Sequence, residues 1–150
     1  KKKLKPRLEE AAKGKRQVYF IDAAHFVFGA FLSVTWCFMR QFIPTPSGRQ
    51  RFNVLGALNA VTHKMITLTN TGYINSWSVV NLLRQLRCAH PLEPITVVLD
   101  NAPYQKCYLV NCAATMANIE LLYLPTYSPN LNLIERAWKF VKKKALYCKV

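Results

Sequence analysis

Seven side chains in this 150-residue sequence can carry a carboxylate: Glu9, Glu10, Asp22, Glu93, Asp100, Glu120 and Glu135. Two of them close runs of apolar residues, Asp22 in QVYFID and Asp100 in ITVVLD. A carboxylate placed where a buried strand emerges is partly desolvated, and it is neutralised unless positive charge stands beside it. If the two runs are neighbouring parallel strands, their carboxylates meet and repel. Neither run contains a lysine or arginine to separate them. A divalent cation would do so, and carboxylate oxygens suit Mg²⁺ or Mn²⁺. The competing account is that each aspartate caps the turn after its strand, a position aspartate favours.

Glu135 also has two readings. Asn132 followed three residues later by Glu135 has the form of a capping box, and Glu135 with Lys139 makes a favourable i, i+4 pair. An inward-facing carboxylate in the first turn of a helix could instead complete a metal site. Local sequence leaves both open. The remaining acids have plainer accounts: Glu9 and Glu10 lie in a charged N-terminal stretch, Glu93 in a proline-flanked loop, and Glu120 at a strand start, solvated.

The elements that must position these groups follow from periodicity. Residues 1–16 read as a short basic helix or tail closed at Gly14. In QVYFIDAAHF, Val18, Phe20 and Asp22 alternate onto one face of a strand while Tyr19, Ile21 and Ala23 take the other. Further strands are expected at about Phe31–Phe38 and in FNVLGALNAV, with KMITLTNTGYI as one more possible edge strand. The period then becomes helical: Val79, Leu82, Leu83 and Leu86 form a stripe, with Asn75 or Ser76 as cap. Ile95–Leu99 is a strand, Leu109, Cys112, Ala113 and Met116 the buried stripe of a helix, and IELLYLP a strand. TYSPNLN is a loop. A last helix begins near Leu133, with Ile134, Trp138, Val141 and Ala145 on one face. Short links favour an antiparallel meander for the first strands, and helical crossovers make the later ones parallel. The expected fold is α/β, a mixed five-stranded sheet of three antiparallel and two parallel strands flanked by helices. Ligands on such sheets lie at the carboxyl ends of strands, where Asp22 and Asp100 fall.

Composition narrows the partner. Lys plus Arg number 21 against 7 acids, a net charge of +14 that points to a polyanion such as nucleic acid. Five cysteines, Cys37, Cys88, Cys107, Cys112 and Cys148, include no CxxC pair and read as reduced, mostly buried thiols of a cytosolic protein. The basic N-terminus is no secretory signal. Ala23–Met39 carries no Asp, Glu, Lys or Arg, but its β-branched and aromatic content and Gly29 favour two buried strands over a membrane span.

Three blocks together decide what local sequence leaves open: FIDAAHF around Asp22, VVLDNAPYQ around Asp100, and LPTYSPNLNLIERAWKFVKKK around Glu135. In order, element type and spacing they resemble the catalytic domain of DDE transposases, specifically the bacterial insertion-sequence branch of the mariner superfamily. GRQRFNVLGALNAV, between the first two blocks, also fits. The resemblance covers nearly all of residues 17–147. It implies an RNase H-like fold and makes Asp22, Asp100 and Glu135 the catalytic, metal-binding triad, holding two Mg²⁺ ions with Mn²⁺ as substitute. The implied activity is cleavage of DNA phosphodiester bonds at transposon ends and strand transfer into target DNA by in-line displacement at phosphorus. Double-stranded DNA is the implied partner, a homodimer the implied state of the full-length protein, and the bacterial cytoplasm, at the nucleoid, the implied location. On this division residues 1–16 are a basic N-terminal helix or linker and residues 17–150 the catalytic domain. The family's helix-turn-helix region for recognising inverted repeats has no counterpart here, and the chain is expected to be part of something longer.

Lys139, Lys142 and Lys143 on the Glu135 helix, and Arg49 and Arg51 in SGRQR, are candidates to hold DNA phosphates, or else a solvated basic surface. His25, Asn101 and Asn132 are candidates to support the ligands, although a lone histidine beside an apolar strand is more often structural. Three other readings stand against a transposase. One is a non-catalytic DNA-binding relic, and another is a different RNase H-like nuclease, since fold does not fix substrate. The third, an aspartyl-phosphate phosphatase, wants a second acid two residues after the first, where Ala24 stands.

Overall fold

A computed structural model of the chain describes residues 4–28, 50–125 and 132–146. The elements in chain order are α1 (Leu4–Ala12), β1 (Gln17–Phe28), β2 (Gln50–Asn59), β3 (Met65–Asn70), α2 (Ser76–Ala89), β4 (Ile95–Leu99), a 3₁₀ turn (Pro103–Gln105), α3 (Tyr108–Met116), β5 (Ile119–Tyr123) and α4 (Leu133–Leu146). The five strands form one sheet in the order β3-β2-β1-β4-β5. β1 pairs antiparallel with β2 and β2 with β3, while β4 runs parallel to both β1 and β5. This is the mixed sheet expected from the sequence. Its third antiparallel strand is β3, and the strand expected at 31–38 lies outside the described residues.

Period-two alternation sends the sheet's side chains into two cores. Tyr19, Ile21, Leu55, Ala57, Val97 and Leu99 pack under α2 and α3. Val18, Phe20, Ala24, Val54, Leu58 and Val98 pack under α1 and α4 with Ile134 and Trp138. An interior parallel strand covered on both faces reads as a nearly continuous apolar run. Every residue of β4 is buried, the one polar member Thr96 with its hydroxyl hydrogen-bonded.

Local chemistry sets the helix ends. Asn75 caps α2, its side chain accepting from the Ser78 backbone N–H in a capping box. The stripe of Val79, Leu82, Leu83 and Leu86 is buried as expected. α1 ends at Gly14, whose φ of 71° suits glycine; its N–H donates to Ala11 O and that of Lys15 to Glu10 O.

Three expectations are corrected. α3 buries Val110 and Ala114 most deeply. Leu109 and Ala113 pack partly buried against the core as expected, but Met116 is exposed, because in a nine-residue helix this apolar the buried face is set by tertiary contact. Glu120 is not simply solvated but ion-paired to Arg7 at 2.9 Å and Arg16 at 3.2 Å, and Arg16 also holds Glu10 at 2.7 Å. Glu93 lies in the proline-flanked loop as expected, its Oε2 3.2 Å from His90 Nδ1. The described cysteines are free but not buried: Cys88 is exposed and Cys107 and Cys112 half-buried, while Cys37 and Cys148 lie outside the described residues. No helix among the described residues is long and apolar enough to cross a membrane, and residues 23–28 of the apolar stretch lie in β1.

Candidate active site

β1 and β4 are hydrogen-bonded neighbours, with Ile21 opposite Leu99. Asp22 and Asp100 are the next residues along, so the parallel register sets them side by side, at strands roughly 4.8 Å apart. Alternation turns Asp22 to the face of Val18 and Phe20, the face that α4 covers. Each carboxylate accepts a hydrogen bond from the following backbone N–H, Ala23 to Asp22 at 2.8 Å and Asn101 to Asp100 at 2.9 Å. Asp22 is half-buried; Asp100 is exposed at the rim.

Glu135 arrives from the other side, on the first turn of α4. Ile134 and Trp138 anchor that helix in the core beneath it. The capping-box account of Glu135 fails among the described residues. Asn132 is buried, and its Oδ1 accepts no hydrogen bond there. Glu135 makes no ion pair with Lys139 or any other described residue.

The charges converge on Asp22. Burial pushes its carboxyl up to about 6, and the negative charges of Glu135 and Asp100 add to that rise. The Ala23 N–H and Lys142 pull the other way. The sequence held no cation inside either strand, and the structure supplies a partial one from α4. Lys142 is half-buried, its Nζ 5.8 Å from the centre of the Phe26 ring. It sits against the site, whereas Lys139 and Lys143 are exposed on the same helix.

Other candidates are dispersed. Arg51 is exposed on β2, on the face opposite α4, and Arg49 lies outside the described residues. His25, of opposite parity to Asp22, faces away from the carboxylates, and its Nδ1 meets Asn53 Oδ1. Asn53 in turn donates to the Gly72 carbonyl, so this pair ties down the turn after β3. Asn101 contributes its backbone N–H to Asp100.

Sequence reasoning missed Tyr104. It follows Asp100 in the 3₁₀ turn, and burial raises its phenol above the ordinary value, reinforced by the charges of Asp22 and Asp100. Its hydroxyl accepts from Gln105 Nε2 at 3.3 Å. The available signal was Pro103, which opens the 3₁₀ turn just past the end of β4.

Three hard oxygen donors around one potential well have the chemistry of a Mg²⁺ or Mn²⁺ site. Among the described residues, no three His, Cys, Asp or Glu side chains stand close enough to hold an ion without moving. Mutual repulsion opposes such closing; at Asp22 it adds to the larger effect of burial in raising the carboxyl. The donor set fits a divalent cation.

The family model described as DDE superfamily endonuclease matches residues 17–149. A search of curated protein sequences finds no match. Among solved structures, the chain is similar to the Mos1 strand transfer complex, with a TM-score of 0.66 and 16% identity over 93% of this chain and 45% of that one. It is similar to the simian T-cell lymphotropic virus intasome in complex with PP2A regulatory subunit B56 gamma, with a TM-score of 0.64 and 15% identity over 86% of this chain and 39% of that one. The catalytic core of HTLV-2 integrase in complex with magnesium gives a TM-score of 0.57 and 11% identity over 86% and 68% of the two chains. The shared architecture is the RNase H-like fold. The chain spans less than half the length of the first two of these proteins.

Proposed function

Because the chain belongs to the DDE superfamily of endonucleases, we propose that it forms the catalytic centre of a transposase of the insertion-sequence branch. It would cut DNA phosphodiester bonds at the ends of an element and join the freed ends to target DNA. The observation that carries this reading is the register of β1 and β4, which brings two lone strand-end aspartates together under the helix bearing Glu135.

In this reading Asp22, Asp100 and Glu135 hold Mg²⁺, with Mn²⁺ as substitute. The metal supplies activation of the attacking hydroxyl and charge neutralisation at the leaving oxygen. Asp22 and Asp100 are fixed by rigid strands and by the N–H bonds of Ala23 and Asn101. Their oxygens therefore need little reorganisation to act as ligands. Glu135 closes the set. Lys142 keeps a positive charge near Asp22 and favours its ionised, ligating form. Lys139 and Lys143 extend along α4 where DNA phosphates flanking the cut would lie. Double-stranded DNA is the substrate class, a homodimer the working assembly, and the bacterial nucleoid the place of action.

The test is nicking of a supercoiled plasmid by the full chain with Mg²⁺, Mn²⁺ or EDTA. Cleavage that requires metal and disappears in Asp22→Asn and Glu135→Gln supports the reading. Metal-independent DNA binding without cleavage would identify a DNA-binding relic instead.

A further inference from the structure

On the reading of Asp22, Asp100 and Glu135 as one site, we infer that Gly56 and Trp138 are positioning residues, a seat that sets how closely α4 approaches the sheet and so where Glu135 stands relative to Asp22.

Gly56 is the β2 partner of Asp22 across the antiparallel pair. A Cβ on Gly56 would lie 2.6 Å from Trp138 Cζ2, 3.0 Å from Cη2 and 3.2 Å from Ile134 Cδ1. The first of these distances is an overlap, and the two nearest atoms belong to a fused ring that cannot bend aside. Only glycine lets the indole rest on the strand at this point. The ring is 6% exposed and is held on a second side by Phe26, edge to face, with centroids 6.0 Å apart and planes at 77°. Its Nε1 is buried without a hydrogen-bond partner among the described residues. Shape rather than a polar contact therefore fixes it.

The seat lies directly beside the chemistry. Glu135, Trp138 and Lys142 fall at i, i+3 and i+7 of α4 and share one face. Asp22 and Phe26 share the facing side of β1, and Lys142 stands over the Phe26 ring that contacts Trp138. A helix pushed outward at Trp138 carries Glu135, one turn earlier, away from Asp22. Displacement of about 1 Å is enough to cost roughly 100-fold in rate where reacting groups must be aligned.

The experiment compares wild type, Gly56→Ala, Trp138→Phe and the double variant by Mn²⁺ titration calorimetry, plasmid nicking at saturating DNA, and thermal melting. Gly56→Ala should fold cooperatively, weaken Mn²⁺ binding by about tenfold or more and slow nicking by roughly 100-fold. Trp138→Phe shortens the ring, so Gly56→Ala/Trp138→Phe should regain most of the Mn²⁺ affinity. A merely structural role would lower the melting temperature and leave Mn²⁺ affinity where it was. That result, or a double variant no better than Gly56→Ala, overturns the inference. Should Gly56→Ala not fold, Trp138→Phe alone decides: it should weaken Mn²⁺ binding by removing the seat, and unchanged affinity overturns the inference. A wild-type chain that neither takes up Mn²⁺ nor nicks DNA sinks the metal reading and the positioning role together. A wild type that does both beside an unaltered Gly56→Ala sinks the positioning role only.

Discussion

Asp22 and Asp100 each stand one residue past a paired position, Ile21 opposite Leu99, on adjacent parallel strands. The backbone ladder thereby holds two carboxylates together that gain nothing from each other. Asp100→Asn keeps the shape and can still accept the Asn101 N–H. It should abolish Mg²⁺- or Mn²⁺-dependent nicking while metal-free melting stays level or rises, because a repulsive charge is gone. Nicking that survives in Asp100→Asn, with only a slight stability change, would make the residue a turn cap.

Asp22 gives a pH signature. Its carboxyl, at about 6 in the folded chain against an ordinary 3.8, binds its proton more tightly when folded. The ionised form therefore costs stability above pH 6, and that cost is relieved as pH falls from about 7 towards 4. The gap corresponds to at most about 3 kcal/mol, less for the water that reaches a half-buried group. In EDTA the melting temperature should climb through this window on acidification, and Asp22→Asn should flatten the climb. The same slope in Asp22→Asn would assign the effect elsewhere.

The two aspartates were legible because period-two runs of apolar residues end in the only Asp residues of the chain. The α2 stripe was legible for the same reason, a period strong enough to fix a face. Glu135 was legible only through the pattern of the whole chain, since capping box and ligand leave the same local trace; the unpartnered Asn132 Oδ1 removes the capping-box account among the described residues. Contacts between distant residues were invisible altogether. Arg7 meets Glu120 across 113 positions, and nothing near Gly56 announces Trp138. The α3 face was only partly assigned, with Leu109 and Ala113 against the core but Val110 and Ala114 deeper, because almost every residue in YLVNCAATM could be buried.

Three of the four lysines of α4, Lys139, Lys142 and Lys143, should separate in their effects. Lys139 and Lys143 are exposed, so replacing both by Ala should lower the slope of log affinity against log salt by about one for each phosphate no longer neutralised. Lys142 packs on Phe26 and faces Asp22. Lys142→Ala should instead raise the Asp22 carboxyl further, because a charge favouring the ionised form is removed. Salt-dependent DNA binding and carboxyl NMR titration read the two effects. Identical behaviour of all three lysines would show that Lys142 is merely solvated.

At the far end of the sheet, Arg16 clasps α1 to the strands. It donates to Glu10 at 2.7 Å, to the buried Thr96 hydroxyl at 2.8 Å and to Glu120 at 3.2 Å. Thr96 lies four residues before Asp100, a separation of roughly 13 Å along a strand, so the clasp can be cut without touching the carboxylate site. Arg16→Ala leaves Arg7 on Glu120 but strands part of a charged network, which should cost about 1–3 kcal/mol and roughly 3–10 °C in melting temperature. Burial pushes the Glu120 carboxyl up, but the Thr96 hydroxyl, Arg7 and Arg16 outweigh it and hold it below its ordinary 4.5. A depressed carboxyl stabilises the fold above that value and loses the contribution as pH falls below it. The loss in Arg16→Ala should therefore be full at pH 7 and shrink below about pH 4.5, the opposite sense to Asp22. Mn²⁺ affinity should not move. A shift in Mn²⁺ affinity would tie α1 to the site, and an unchanged melting temperature would show that the clasp adds nothing to the fold.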